Sequence, residues 1–339
     1  MFQNRKKLFA SLLILVSIGI IGWFVLFEYS VRWLEKELEV SITDLKQKGY
    51  MVSYSKVEFK GNPFFINVIF HDFQFKDPSS FVEWQGQEVN VSIKPWNFYT
   101  LSYSLPGDQT VTISQNTSPQ LGVLKVEGAQ GVVKITTQGK LENASLFVDR
   151  VFSLINAQTQ PLSLQALSLV TTNLTDPLNL SLAFKTELIG LETLLKIPPL
   201  NSPLTLTLEA HFSGYEPKET FPKTVAEWRD GGGVLEVSHL KVIWPPILAE
   251  AEGTLTFDKE MYPLGSFSSR IVGYQNILNY MVELGWMKKK NASTASFMLD
   301  LFSASDETGE KRLTVPITLQ NKRLSIGPAP LIKLRPLAL

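Results

Sequence analysis

Arg5, Lys6 and Lys7 stand directly before an uncharged, mostly apolar run from Leu8 to Phe27. A helix of about twenty residues spans about 30 Å, the thickness of a bilayer hydrocarbon core, so the run reads as a transmembrane anchor. Basic residues stay on the cytoplasmic side, which predicts a cytoplasmic N-terminus over residues 1–7 and an exported remainder, with the membrane lipid bilayer as a partner. A cleaved signal peptide is the alternative. Its apolar core is shorter and ends in small residues, whereas Trp23, Phe24, Phe27, Glu28 and Tyr29 occupy that place here, so the run is read as an uncleaved signal anchor.

The charged fraction is 19%, below the usual globular value of about 25%, while apolar and aromatic residues are plentiful, and the chain is expected to fold. Lys plus Arg (32) equals Asp plus Glu (32), so the chain lacks the strongly basic balance of a nucleic-acid binder and nucleic acid is excluded as a partner. There is no cysteine, which removes disulfides, thiolate nucleophiles and cysteine-ligated metals.

Beyond the anchor, Val31, Leu34, Leu38, Ile42 and Leu45 recur at three- and four-residue spacing with charges between them. This predicts an amphipathic helix over residues 28–49, stopped at Lys48-Gly49 and packed on the exported domain. From Met51 the period becomes two. Tyr54 to Phe59 and Phe65 to Phe75 are predicted as paired strands around Gly61-Asn62-Pro63, with Ile66, Val68 and Phe70 on one face.

Further strands are predicted along the first half, among them Thr100 to Leu105 and Gln109 to Ser114, joined as a hairpin by Pro106-Gly107-Asp108. Gly122 to Glu127, Gly131 to Gln138, Asn143 to Leu154 and Leu162 to Leu174 follow. The second half repeats this texture from Leu178 to Ile326, including a strand at Ala295 to Ser303. Helices interrupt it at Lys218 to Trp228 and Gln275 to Lys288. Gly231-Gly232-Gly233 follows a helix and opens a strand, the reverse of a phosphate loop, and is read as a turn.

The fold class expected is mostly β (α+β): an N-terminal transmembrane helix, then a long antiparallel, curled sheet with a few packed helices. A first β-rich half over 50–200 and a second over 201–339 would join around Pro198 to Pro203.

Several elements in order resemble the bacterial inner-membrane proteins grouped as domain-of-unknown-function family 2125. They are Gly49-Tyr50-Met51-Val52-Ser53-Tyr54, Gly61-Asn62-Pro63-Phe64, Lys94-Pro95-Trp96-Asn97, Trp228-Arg229-Asp230-Gly231-Gly232, Trp244-Pro245, Gly253-Thr254-Leu255, Pro263-Leu264-Gly265 and Ile326-Gly327-Pro328-Ala329-Pro330. Pro246 departs from the pattern, in place of a small polar or apolar residue. The resemblance implies a periplasmic bulk tethered to the inner membrane. It carries no established activity and therefore no functional residue. More distantly, an anchor followed by a helix and strands is similar to the AsmA-like envelope proteins, which implies a link to lipid transport; that step is an analogy of folds, and fold alone does not give function.

Chemical motifs are sparse. His71, His211 and His239 lie far apart in strand-like segments and could ligate a metal only if the fold gathered them. Asp72 and Asp77 could pair as acid and base but are read as strand-end residues. No Gly-x-Ser-x-Gly or His-Glu-x-x-His occurs, and the Ser-x-x-Lys runs at Ser53 and Ser238 place their ends on opposite faces of a strand. Asn-x-Ser/Thr triplets at Asn90, Asn116, Asn143, Asn173, Asn179 and Asn291 are read as chance.

No enzyme, cofactor or metal is expected. Phe65, Ile66, Val68 and Phe70 show apolar residues on both faces of a strand, which requires cover on two sides: either ordinary core packing beneath the helices at Val31 to Leu45 and Gln275 to Lys288, or an apolar trough able to receive acyl chains. The expected role is binding or guiding lipid-like molecules in cell-envelope maintenance. The alternative is a non-catalytic scaffold that docks other envelope proteins through exposed sheet edges.

Overall fold

Alternating sequence becomes antiparallel sheet throughout. The computed structural model describes residues 2–62, 64–115, 118–153, 163–172, 180–189, 203–213, 221–305 and 311–337. The chain divides into two compact units, Met1–Lys134 and Ile135–Leu339. Pro63, Asn116, Asn173, Asn179 and, save for Pro203, the expected join at Pro198 to Pro203 lie outside the described residues.

The first unit opens with one helix, α1 (Phe2–Gln47). It ends as its sequence predicts: Gly49 takes a φ of 87°, and the amides of Gly49 and Tyr50 return to the carbonyls of Lys46 and Leu45, a glycine-terminated helix end. Strands β1 (Met51–Ser53), β2 (Lys56–Asn62), β3 (Phe65–Lys76), β4 (Val82–Lys94), β5 (Asn97–Leu105), β6 (Gln109–Gln115) and β7 (Ser118–Ile135) follow.

β1 and β2 lie end to end along one edge of β3, and β4 lies along the other. β5 and β6 also lie end to end, both between β4 and β7. Pro106-Gly107-Asp108 is therefore no hairpin. The chain runs straight on through it with one residue more than either neighbour, a bulge. The two strands predicted at Gly122 to Glu127 and Gly131 to Gln138 are correspondingly parts of one, β7, which passes through Gly128 at φ 64°.

Several further expectations need correction. The helix that begins in the apolar run continues without a break through Glu28, Arg32, Glu35 and Lys36 to Gln47, so anchor and amphipathic helix are one element. The side chains of Arg5, Lys6, Lys7 and Leu8 lie outside the described residues, and Phe27 is half-buried. Among the described residues no helix is long and apolar enough to cross a membrane. The transmembrane helix over 8–27, the single-pass inner-membrane topology with a periplasmic bulk, and the bilayer as a partner are withdrawn on that finding.

The apolar face of β3 is not an open trough. Ile66, Val68 and Phe70 are 0%, 4% and 7% exposed, and Leu34 and Leu38 of α1 pack against Val68, Phe70 and Val89. Phe65 points the other way and is exposed. Packing of the helix fills the face that was expected to hold acyl chains, so the lipid-guiding role is withdrawn as well.

Asp72 breaks the alternation in the second half of β3. Its φ of 51° interrupts the alternation, so Phe73, three residues after Phe70, joins the same core, with the two rings edge to face at 5.8 Å.

The second unit is a meander of β8 (Leu141–Ser153), β9 (Ser163–Thr172), β10 (Leu180–Ile189), β11 (Leu204–Ser213), β12 (Val234–Trp244), β13 (Ile247–Phe257) and β14 (Pro263–Val272). Each of these strands pairs with the next, and β14 then pairs with β16 (Lys311–Gln320). The far edge of β16 carries β15 (Ser303–Ser305) and β17 (Arg323–Ile326), with β18 (Ala329–Lys333) beyond β17.

Helix α2 (Phe221–Asp230) precedes β12, and α3 (Tyr274–Glu283) and α4 (Lys289–Asp300) follow β14. Leu278 and Met281 of α3 and Ala292, Ala295 and Leu299 of α4 bury against Ile271, Leu313 and Val315. The strand expected at Ala295 to Ser303 is thus mostly α4. Its buried stripe is Ala292, Ala295 and Leu299 at three- and four-residue spacing, and the two alanines allow close approach to the sheet.

Candidate functional site

The outer edge of the first unit's sheet is the most chemically distinctive surface. β2 pairs with β3 on one side, and no strand among the described residues pairs with its other side. Alternation sends Val57 and Phe59 toward the helix-covered core, where both pack against its cluster. Lys56, Glu58 and Lys60 stand on the opposite face.

Glu58 Oε1 lies 2.5 Å from Lys56 Nζ, and its Oε2 pairs with Lys60. Hydrogen bonds from Lys56, then from Lys60, hold the Glu58 carboxyl down to about 2. Both lysines remain 65% exposed, whereas Glu58 is only 20% exposed. One carboxylate thus serves two ammonium groups, and the edge keeps surplus positive charge.

Behind it, His71 of β3 sits between Glu58 and Glu88 of β4, with ring nitrogens 3.7 and 3.9 Å from their oxygens. His71 Nε2 is buried without a hydrogen-bond partner. Ser55, in the gap between β1 and β2, donates its hydroxyl to Asp72 at 2.7 Å. A shallow cleft of about 240 Å³ lies alongside, lined by His71, Asp72, Gln87, Glu88, Pro106 and Gly107. That is less than the about 300 to 1,000 Å³ of small-molecule sites. The cleft marks the bulge line across the sheet, not a ligand chamber.

The other candidate chemical groups are not brought together. His71 is in the first unit, and His211 and His239 are on β11 and β12 of the second. Among the described residues no group of His, Asp and Glu could hold a metal. Asp72 accepts from Ser55, while Asp77 accepts the amides of Ser79 and Val82 at 3.0 and 2.7 Å, closing a turn. The Ser53 and Ser238 hydroxyls go to Gln74 and to the Glu209 carbonyl.

The recurring sequence elements fall mostly at turns and tight packing points. Trp228 is buried beside Phe212, and Gly231, Gly232 and Gly233 close the end of α2 through amide bonds to the Glu227, Arg229 and Trp228 carbonyls. The glycine triplet is a helix terminator. Trp244, also buried, lies against Tyr280, and Trp244 pairs with Ile247 across a two-residue turn whose Pro245-Pro246 bond is cis.

Gly253 faces the Ser266 carbonyl so closely that a Cβ would stand 2.1 Å from it. Gly327 and Pro328 turn β17 into β18, with Gly327 at φ 52°. Pro95 and Trp96 turn β4 into β5. Trp96 and Phe64 are both exposed, and both lean on Trp23 of α1, with ring centroids 5.6 and 6.5 Å away.

Sequence reasoning missed three groups that the fold depends on or displays: the Lys56-Glu58-Lys60 edge, the buried Gln109, and Arg229. The first carries a signal, opposite charges at two-residue spacing. The other two act mainly through groups that only the fold brings near, Trp84 and the Glu88 carbonyl for Gln109 and the Asp258 and Lys259 carbonyls for Arg229.

The family model described as an uncharacterized protein conserved in bacteria (DUF2125) matches residues 29–335. No curated protein matches the chain, and no solved structure does.

Proposed function

The chain belongs to that bacterial family over nearly its whole length, and we propose that it acts as a non-catalytic protein-interaction module that docks an extended segment along the outer edge of β2. The observation that carries this reading is the combination of a filled core and an unpaired edge in the same sheet. The apolar face is occupied by α1, whereas β2 offers backbone donors and acceptors on a side with no strand among the described residues. Strand addition uses those groups for affinity and the alternate side chains for specificity. Exposed lysines on an edge discourage indiscriminate pairing. Lys56 and Lys60 therefore restrict the edge to segments that answer their charge.

The test is site-specific photocrosslinking in the native host. A photoreactive residue at Lys56 should capture a defined partner, identified by mass spectrometry, while the same residue at the exposed Lys140 turn should not. Equal capture at both positions, or none at Lys56, overturns the reading.

A further inference from the structure

We propose that the segment docked on this edge is the same edge of a second copy of the chain, paired antiparallel about Phe59. The inference rests on the edge-docking reading and names its partner. β2 runs from Lys56 to Asn62, so Phe59 is its midpoint. A two-fold axis through Phe59 sets the whole strand against itself, and residues directly opposite share a face.

In that register Glu58 of each copy stands opposite Lys60 of the other, and Phe59 stands opposite Phe59 on the core side. Val57 stands opposite Gly61, which has no side chain to obstruct it. Two carboxylate–ammonium pairs and one aromatic pair result, each of a kind that stabilises adjacent strands.

Neighbouring registers are worse. Centring on Glu58 puts Glu58 against Glu58 and Lys56 against Lys60, like charges that oppose pairing. Centring on Val57 keeps unlike charges opposed but drives the ladder into the break at Tyr54-Ser55, where β2 ends. The alternation Lys56-Glu58-Lys60 is thus self-complementary in one full-length register. It also uses the surplus charge described above, because each Lys60 gains a second carboxylate from the facing strand.

The experiment is a charge exchange in the full chain, read by analytical ultracentrifugation. The unaltered protein should be a dimer. Lys60→Glu alone, which sets Glu58 against a new carboxylate, and Glu58→Lys alone should each raise the dimer dissociation constant at least about tenfold. An equimolar mixture of the two variants should recover the dimer as a heterodimer, which also shows that both remain folded. Lys140→Glu, at the exposed turn away from the edge, should leave the dimer intact.

Because the chain has no cysteine, a second measurement is available. Oxidation should join a Lys60→Cys copy to a Glu58→Cys copy and should join neither to itself. A monomeric unaltered protein, or a dimer indifferent to Lys60→Glu, overturns the proposal. If Lys56 photocrosslinking nevertheless captures a different protein, self-pairing falls while edge docking stands.

Discussion

The Gln109 side-chain carbonyl accepts the indole N–H of Trp84 at 2.9 Å, linking the start of β4 to the first residue of β6. The same side chain donates through Nε2 to the carbonyls of Glu88 (2.9 Å) and Pro106 (3.0 Å), so its amide is fully used although only 2% of the residue is exposed. These bonds lie where β5 stops and β6 begins, the point at which the β4 ladder loses its regular partner. Gln109 supplies in side-chain bonds what the bulge removes in backbone bonds.

Replacing Gln109 by Leu should therefore cost more than an average buried substitution. The Trp84 N–H and two carbonyls lose their partner together, and each buried group left unsatisfied costs about 1 to 3 kcal/mol. A loss of at least about 2 kcal/mol in urea unfolding is expected, with the midpoint shifting and the slope unchanged.

Two glycines of the shared sequence elements should respond differently to alanine. At Gly253 a Cβ would lie 2.1 Å from the Ser266 carbonyl and 2.6 Å from the Phe267 Cα, so β13 and β14 would have to separate. Gly232 has open space around it and needs glycine only for its φ of 83°. Gly232→Ala should cost about 1 kcal/mol, the penalty of a left-handed residue, and Gly253→Ala clearly more. Thermal melts of the two variants side by side provide the measurement.

Much of the sheet was legible because burial on one face writes itself into every second residue. Val57 and Phe59, then Ile66, Val68 and Phe70, mark β2 and β3. Where the pattern misled, a local signal had two tertiary meanings. Pro106-Gly107-Asp108 carries the chemistry of a reversing turn, but a strand already lies on each side, so it becomes a bulge. Ala292, Ala295 and Leu299 have helical spacing, yet alanine hardly registers as apolar, and Ser, Thr and Phe between them resemble a strand.

The apolar run before Glu28 suggested an element of its own, whereas the helix passes through that boundary. For the candidate site, the alternating charges of Lys56, Glu58 and Lys60 could be read directly. That their strand lies at an edge is a property of pairing, which no stretch of seven residues reveals.

Arg229 should prove a fastener for the turn between β13 and β14. Its Nη1 donates to the carbonyls of Asp258 (3.1 Å) and Lys259 (3.3 Å) and touches Met261 Sδ (3.0 Å), while Asp230 holds the other side of the guanidinium. A lysine carries the charge but not the fork. Arg229→Lys should speed amide hydrogen exchange at residues 258–262 and leave α3 and α4 protected. Loss of charged hydrogen bonds of this kind lowers stability by about 1.5 to 3 kcal/mol.

Acid should disarm the β2 edge late. The Glu58 carboxyl is held down to about 2, from an ordinary value of 4.5, by its bonds to Lys56 and Lys60. A depressed carboxylate contributes stability that is present above the unfolded value, and the contribution is lost as pH falls through the folded one. The window for this group therefore runs from about pH 4.5 down to about pH 2. Side-chain carboxyl NMR should find Glu58 titrating near the bottom of that window. Replacing Lys56 and Lys60 together by Gln should return the midpoint toward 4.5, because both causes of the shift are removed. A midpoint that stays low in the double variant would place the cause elsewhere, with His71, 3.7 Å from the Glu58 carboxylate, the next group to replace.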